Sequence, residues 1–104
     1  MFCRVLEPPG ITTARDLGGR ANLAVALRDA ISSRELFGSR LLTATVPLSA
    51  SGGHCCFFGV EVSGEADIRA AVRANTAAGA DVIKVMTSGG RMTPSGPMRW
   101  SQFT

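Results

Sequence analysis

The chain has no tyrosine, one tryptophan, one histidine and, against ten arginines, a single lysine at position 84. Aromatic residues make up only 6% of it, so the interleaved aromatic and basic surface of a nucleic-acid binder is missing. The net charge is +3, but the arginines alternate with acids, as in Arg28-Asp29, Arg34-Glu35 and Asp67-Ile68-Arg69. Nucleic acid is therefore not an expected partner. No apolar run nears the roughly 18 residues that a membrane helix needs, so no membrane partner is expected either. The first residues, through Pro8-Pro9, lack the apolar core and small-residue cleavage site of a signal peptide, which points to a cytoplasmic location. Three cysteines, Cys3, Cys55 and Cys56, form neither a disulfide framework nor a spaced zinc knuckle. They read as reduced thiols in a reducing compartment.

What is present is a globular composition, 45% hydrophobic and 18% charged over 104 residues, without low-complexity tracts. That is one small domain, able to bury about two thirds of its unfolded surface. Its most informative stretch runs from Asp81 to Gly90, where Lys84 stands inside Val82, Ile83, Val85 and Met86. The β-branched content and the Ser88-Gly89-Gly90 stop predict a strand buried on both faces. A buried ammonium is costly, so burial there favours the neutral, nucleophilic amine. Three uses of it stand open: a buried ion pair, a Schiff-base nucleophile, or capture of carbon dioxide as a carbamate that bridges two metals.

Upstream, Pro8-Pro9 excludes a helix, and Gly10 opens a β-favouring run, Ile11 to Arg15, that ends at Asp16-Leu17-Gly18-Gly19. From Arg20 to Arg34, Leu23, Leu27 and Ile31 recur at helical spacing with Ala24 and Ala30 beside them, predicting an amphipathic helix with one face for burial. Arg40 to Val46 reads as a second strand stopped by Pro47. The segment from Leu48 to Val62 is long for a connection and carries Gly53-His54-Cys55-Cys56, the mark of a functional loop. A second helix is expected from Ser63, as its cap, to Ala78, with Glu65 and Asp67 in the first turn, Ile68 and Val72 on one face, and Gly79 ending it.

The order strand, helix, strand, helix, strand argues for an α/β fold with parallel strands and right-handed crossovers. In such folds ligands gather at the carboxyl ends of strands, where Asp16 to Gly19, the His54 loop and Ser88 to Gly90 all fall. The glycine turn after Asp16 could cradle a phosphate, but it lacks both GxGxxG and P-loop spacing and reads as structural. A lone histidine in a loop is most often structural, yet its position makes His54 a candidate ligand-facing group. Neighbouring Cys55 and Cys56 would point opposite ways on an extended backbone. The methionines Met86, Met92 and Met98 read as packing residues. Trp100 and Phe103, large apolar groups in a polar tail, suggest docking onto something beyond the sequence.

Four motifs in order, Gly10-Ile-Thr-Thr-Ala-Arg-Asp-Leu-Gly-Gly, Ser39-Arg-Leu-Leu-Thr-Ala, Gly52-Gly-His and Ala78-Gly-Ala-Asp-Val-Ile-Lys-Val-Met-Thr-Ser-Gly-Gly, together resemble the metal-dependent amidohydrolase superfamily, in its prolidase-like and imidazolonepropionase-related branch. The likeness covers Gly10 to Thr104. It implies a (β/α)8 TIM barrel of which this parallel β-α-β-α-β segment resembles strands two to four. It also implies divalent metal, zinc, with two ions in the full-length enzyme, and a small amide or dipeptide substrate. On the same likeness Lys84 is a metal ligand as its carbamate, and His54 lies near the substrate. The family's His-x-His pair, its later histidines and its aspartate have no counterpart here.

The expectation is therefore one partial barrel domain over 1–104, with an atypical start at 1–9, β-α-β-α-β over 10–86 and a loop with a truncated end over 87–104. Phe103-Thr104 reads as a hydrophobic residue before a helix cap. Alone, such a chain is expected to be inactive, and to self-associate through its exposed sheet edges. The alternative is a small non-enzymatic α/β module that binds phosphate or a nucleotide.

Overall fold

The central thread of the fold is the stretch 40–49, with paired segments along both of its edges. The structure is a computed structural model that describes residues 10–20, 23–57, 59–91, 93, 99 and 101–103. The readings made for 1–9, including Cys3, and for Met92, Met98, Trp100 and Thr104 lie outside these.

On one edge, β1 (Thr13–Asp16) pairs in parallel with β2 (Arg40–Thr43), Thr13 opposite Arg40 and Asp16 opposite Thr43. Further along the same thread, β3 (Leu48–Ser49) pairs in parallel with β4 (Val60–Glu61). On the other edge lies the lysine segment. The Asp81 N–H donates to the Thr43 carbonyl at 2.8 Å, the Leu48 N–H to the Lys84 carbonyl at 2.8 Å, and the Met86 N–H to the Leu48 carbonyl at 2.9 Å. These bonds make a parallel bridge between Leu48 and Val85. Successive groups on an extended backbone point to opposite edges, which is how one thread serves β1 and the lysine segment together.

Helix α1 (Leu23–Ser32) joins β1 to β2, and α2 (Gly64–Ala77) leads back toward the lysine segment. The parallel β-α-β-α-β order is thus present, with the third strand reduced to one bridge. Leu48, Val62 and Ala71 form the core, with Val60, Ile68, Val72 and Phe103 packed against it.

Five details differ from the sequence reading. The lysine segment is not buried on both faces: Val82, Lys84 and Met86 are half-buried, while Ile83 is 37% and Val85 39% exposed. No described residue packs over that outer face closely enough to bury it. The apolar stripe of α1 is only partly covered, for Leu23 is 76% exposed and no residue of the helix is buried. Pro47 does not end the pairing. Thr45 takes a left-handed φ of 59°, the thread bends there, and the Pro47 carbonyl then accepts the Val60 N–H at 2.9 Å. Ser63 stands at the helix cap without using its hydroxyl; instead its N–H donates to Asp67 Oδ2 at 3.1 Å. Phe103 packs on the chain's own core, where the sequence suggested an outside partner.

Candidate active site

The carboxyl ends of β1, β3 and the lysine segment open into one cavity of about 520 Å³, lined by Asp16, Gly18, His54, Lys84, Met86 and Ser88 among others. Sequence positions that are far apart meet here because parallel strands bring all their exits to the same rim. Lys84 and His54, the chain's sole lysine and sole histidine, share its wall.

Lys84 is half-buried, and it lines the cavity together with Val85 and Met86. The loop that carries His54 is fixed by the Ser49 hydroxyl, which donates to the His54 carbonyl at 2.8 Å. The ring lies against Gly90: a Cβ there would stand 2.5 Å from His54 Nδ1 and Cε1, so any larger residue must displace the ring. Nδ1 itself is buried with no hydrogen-bond partner among the described residues. An unpaired buried ring nitrogen costs free energy and is the kind of group a ligand relieves.

Asp16 was read as part of a structural turn, yet it borders the cavity. Its carboxylate and the amine of Lys84 give the wall groups of opposite charge. Cys55 is buried beside the loop at a φ of +56°. Burial pushes its thiol up, and the positive charge of Lys84 pulls the other way. Cys56 turns toward Glu61, and burial, then that carboxylate, push its thiol up as well. Glu61 is in turn held below the ordinary carboxylate range by the Gly52 N–H and the Ser51 hydroxyl. Both thiols are therefore poor nucleophiles at neutral pH.

The residue that sequence reasoning missed is Gln102. Buried to 8% exposure, it accepts the Ala50 N–H at 3.0 Å and meets the Ser49 hydroxyl at 3.0 Å, while its Nε2 donates to the Ser88 carbonyl at 2.8 Å. No spacing rule marks a lone glutamine 53 positions from its serine partner. The only sequence trace is Gly53, where a Cβ would come within 2.5 Å of Gln102 Oε1.

A larger cavity, about 790 Å³, lies beside the start of α2 between Ile68 and Phe103. Its charged pair, Glu65 and Arg69, is exposed and mutually satisfied at 2.7 Å. The chemistry gathers in the smaller one. Among the described residues no three His, Cys, Asp or Glu side chains converge to hold a metal ion. Nor is any helix among them long and apolar enough to cross a membrane.

No family model and no curated protein matches the chain. Solved structures do. The crystal structure of a Xaa-Pro dipeptidase with methionine bound in its active site matches 98% of this chain at 31% identity, with a TM-score of 0.90. A prolidase complexed with N-methylphosphonate-L-proline matches 98% at 28% identity and 0.86, and the ochratoxinase of A. niger matches 98% at 25% and 0.85. The chain spans only 28 to 29% of the length of these structures. The likeness to the amidohydrolases that the four motifs carry is thus present in the fold, with the parallel α/β segment matched almost end to end.

Proposed function

We propose, from this likeness to prolidase and amidohydrolase structures, that the chain is one wall of the active site of a metal-dependent amidohydrolase acting on amide or dipeptide bonds. The observation that carries the reading is the meeting of Lys84 and His54 in one cavity at the strand exits. In this reading Lys84 contributes a metal ligand. Its neutral amine adds to carbon dioxide, forming an N–C bond and releasing one proton, and the resulting carbamate presents anionic oxygens. That conversion matches the amine to divalent cations, two zinc ions, whose chemistry is to activate water and polarise the amide carbonyl.

The other residues have simpler roles. His54 stands on the cavity wall, where its ring is placed to meet a small amide or dipeptide. Asp16 borders the same cavity and supplies a carboxylate to its wall. In this reading the stretch by itself has no hydrolase activity, since the family's His-x-His pair, later histidines and aspartate have no counterpart in its sequence.

The test is the reading frame that flanks this stretch, together with an assay of the chain alone. A His-x-His upstream and further histidines downstream are expected, and the purified 104-residue chain with zinc is expected to leave dipeptides intact. Turnover by that chain, or flanking sequence without those histidines, overturns the reading.

A further inference from the structure

We infer that Gln102 is a positioning residue for this cavity: its side-chain amide clamps the exit of β3 to the exit of the lysine segment and so sets Lys84 and His54 relative to each other. The role rests on the cavity's being the working site, but it is read from placement and not from turnover, so a failed hydrolase assay and a failed clamp are separate results.

The two segments it joins are those that carry the two groups. On one side Gln102 Oε1 accepts the Ala50 N–H at 3.0 Å and lies 3.0 Å from Ser49 Oγ. That same Oγ is 2.8 Å from the carbonyl of His54. A serine hydroxyl has a single proton, so Gln102 and the His54 loop share it, and a change at one is felt at the other. On the other side Nε2 donates to the Ser88 carbonyl at 2.8 Å, and the Gln102 N–H donates to the Thr87 carbonyl at 3.0 Å. Thr87 and Ser88 line the cavity that Lys84 lines.

Only a primary amide meets both demands. The Ala50 N–H requires an acceptor and the Ser88 carbonyl requires a donor, and the amide supplies one of each about 2 Å apart. A carboxylate would set an anion against the Ser88 carbonyl, and an aliphatic chain of the same length would strand both backbone groups. The surroundings are shaped to it as well. Gly53 leaves room that any Cβ would close, at 2.5 Å from Oε1 and 2.7 Å from Ser49 Oγ.

The test uses the fact that each group is unique in the chain, so each gives one signal. Two properties are measured: the rate at which an amine-reactive ester acylates Lys84, read by digestion and mass spectrometry, and the ¹H–¹⁵N spectrum of the His54 ring. Gln102→Met keeps the volume and removes the amide; Phe103→Leu weakens the neighbouring core packing and leaves the amide in place. Gln102→Met is expected to change the acylation rate about fivefold, the factor one net hydrogen bond is worth, and to move the His54 ring signals. Phe103→Leu is expected to change neither. Should Gln102→Met fail to fold, Ser49→Ala removes a single link and is expected to shift both readouts in the same sense by less. Unchanged signals in the folded Gln102 or Ser49 variant overturn the inference, and so does an equal effect from Phe103→Leu.

Discussion

Arg28 donates to Asp81 at 2.8 Å, and the same carboxylate oxygen accepts the Thr43 N–H at 3.0 Å. Through this one oxygen α1 is tied to the point where the lysine segment begins beside β2. A second bond from Arg28 Nη1, to the Gly79 carbonyl at 2.5 Å, holds the end of α2 in the same knot.

The Thr43 N–H and then Arg28 hold the Asp81 carboxyl below the ordinary carboxylate range. A lowered folded value means that the carboxylate stabilises the fold at pH values above the unfolded pKa, about 3.9, and that this contribution fades as pH falls through the folded one. Asp81→Asn removes the charge while keeping an acceptor. The variant is expected to lose about 1 kcal/mol at pH 7, and the gap from the parent is expected to narrow below about pH 4. Denaturant unfolding at several pH values checks this; a gap that does not change with pH contradicts it.

Gly90→Ala tests how His54 is seated. The added Cβ would fall 2.5 Å from two atoms of the ring, well inside contact distance, so the imidazole must turn away. A single His54 ring signal that shifts or doubles is expected, with a stability loss of about 1 to 3 kcal/mol from overpacking. An unchanged ring spectrum would place His54 elsewhere.

Leu48 is buried at 1% exposure and its backbone is bonded to the lysine segment, so Leu48→Ala is expected to cost about 2 to 5 kcal/mol. Leu23→Ala, on the exposed end of the α1 stripe, is expected to cost under about 0.5 kcal/mol. Chemical denaturation of both variants checks the contrast. Equal losses would mean that the α1 stripe is covered in solution.

These contrasts also mark what could be read in the sequence. The order of elements, the parallel pairing and the meeting of Lys84 with His54 followed from apolar spacing and from glycine turns placed at one end of the strands. The bend at Thr45 did not, because a threonine at positive φ breaks the local preference that the reading relied on. Nor did the short pairing of Leu48–Ser49 with Val60–Glu61, since two residues carry no period. Ile83 and Val85 are apolar yet exposed for a related reason: composition marks a strand as fit for burial, but only a neighbour buries it. Gln102 was hidden most completely, as its partners are set by the fold and not by any local pattern.

The outer edge of the lysine segment is expected to matter in solution. Ile83 and Val85 are exposed there, and on the edge away from Leu48 their backbone groups have no strand beside them among the described residues. An unpaired apolar edge pairs with whatever edge it meets, so the isolated chain is expected to self-associate, and Val85→Lys to shift it toward monomer. Sedimentation velocity over a range of concentrations measures this. A parent chain that stays monomeric throughout contradicts it.

Hydrolysis of a dipeptide with added zinc, by the protein that carries this stretch in its full reading frame, before and after Lys84→Ala, reaches the central claim most directly. A metal ligand worth several kcal/mol is expected to cost about a hundredfold or more in turnover when removed. Turnover of the Lys84→Ala protein within a few-fold of the parent would show that the amine takes no part in holding the metal.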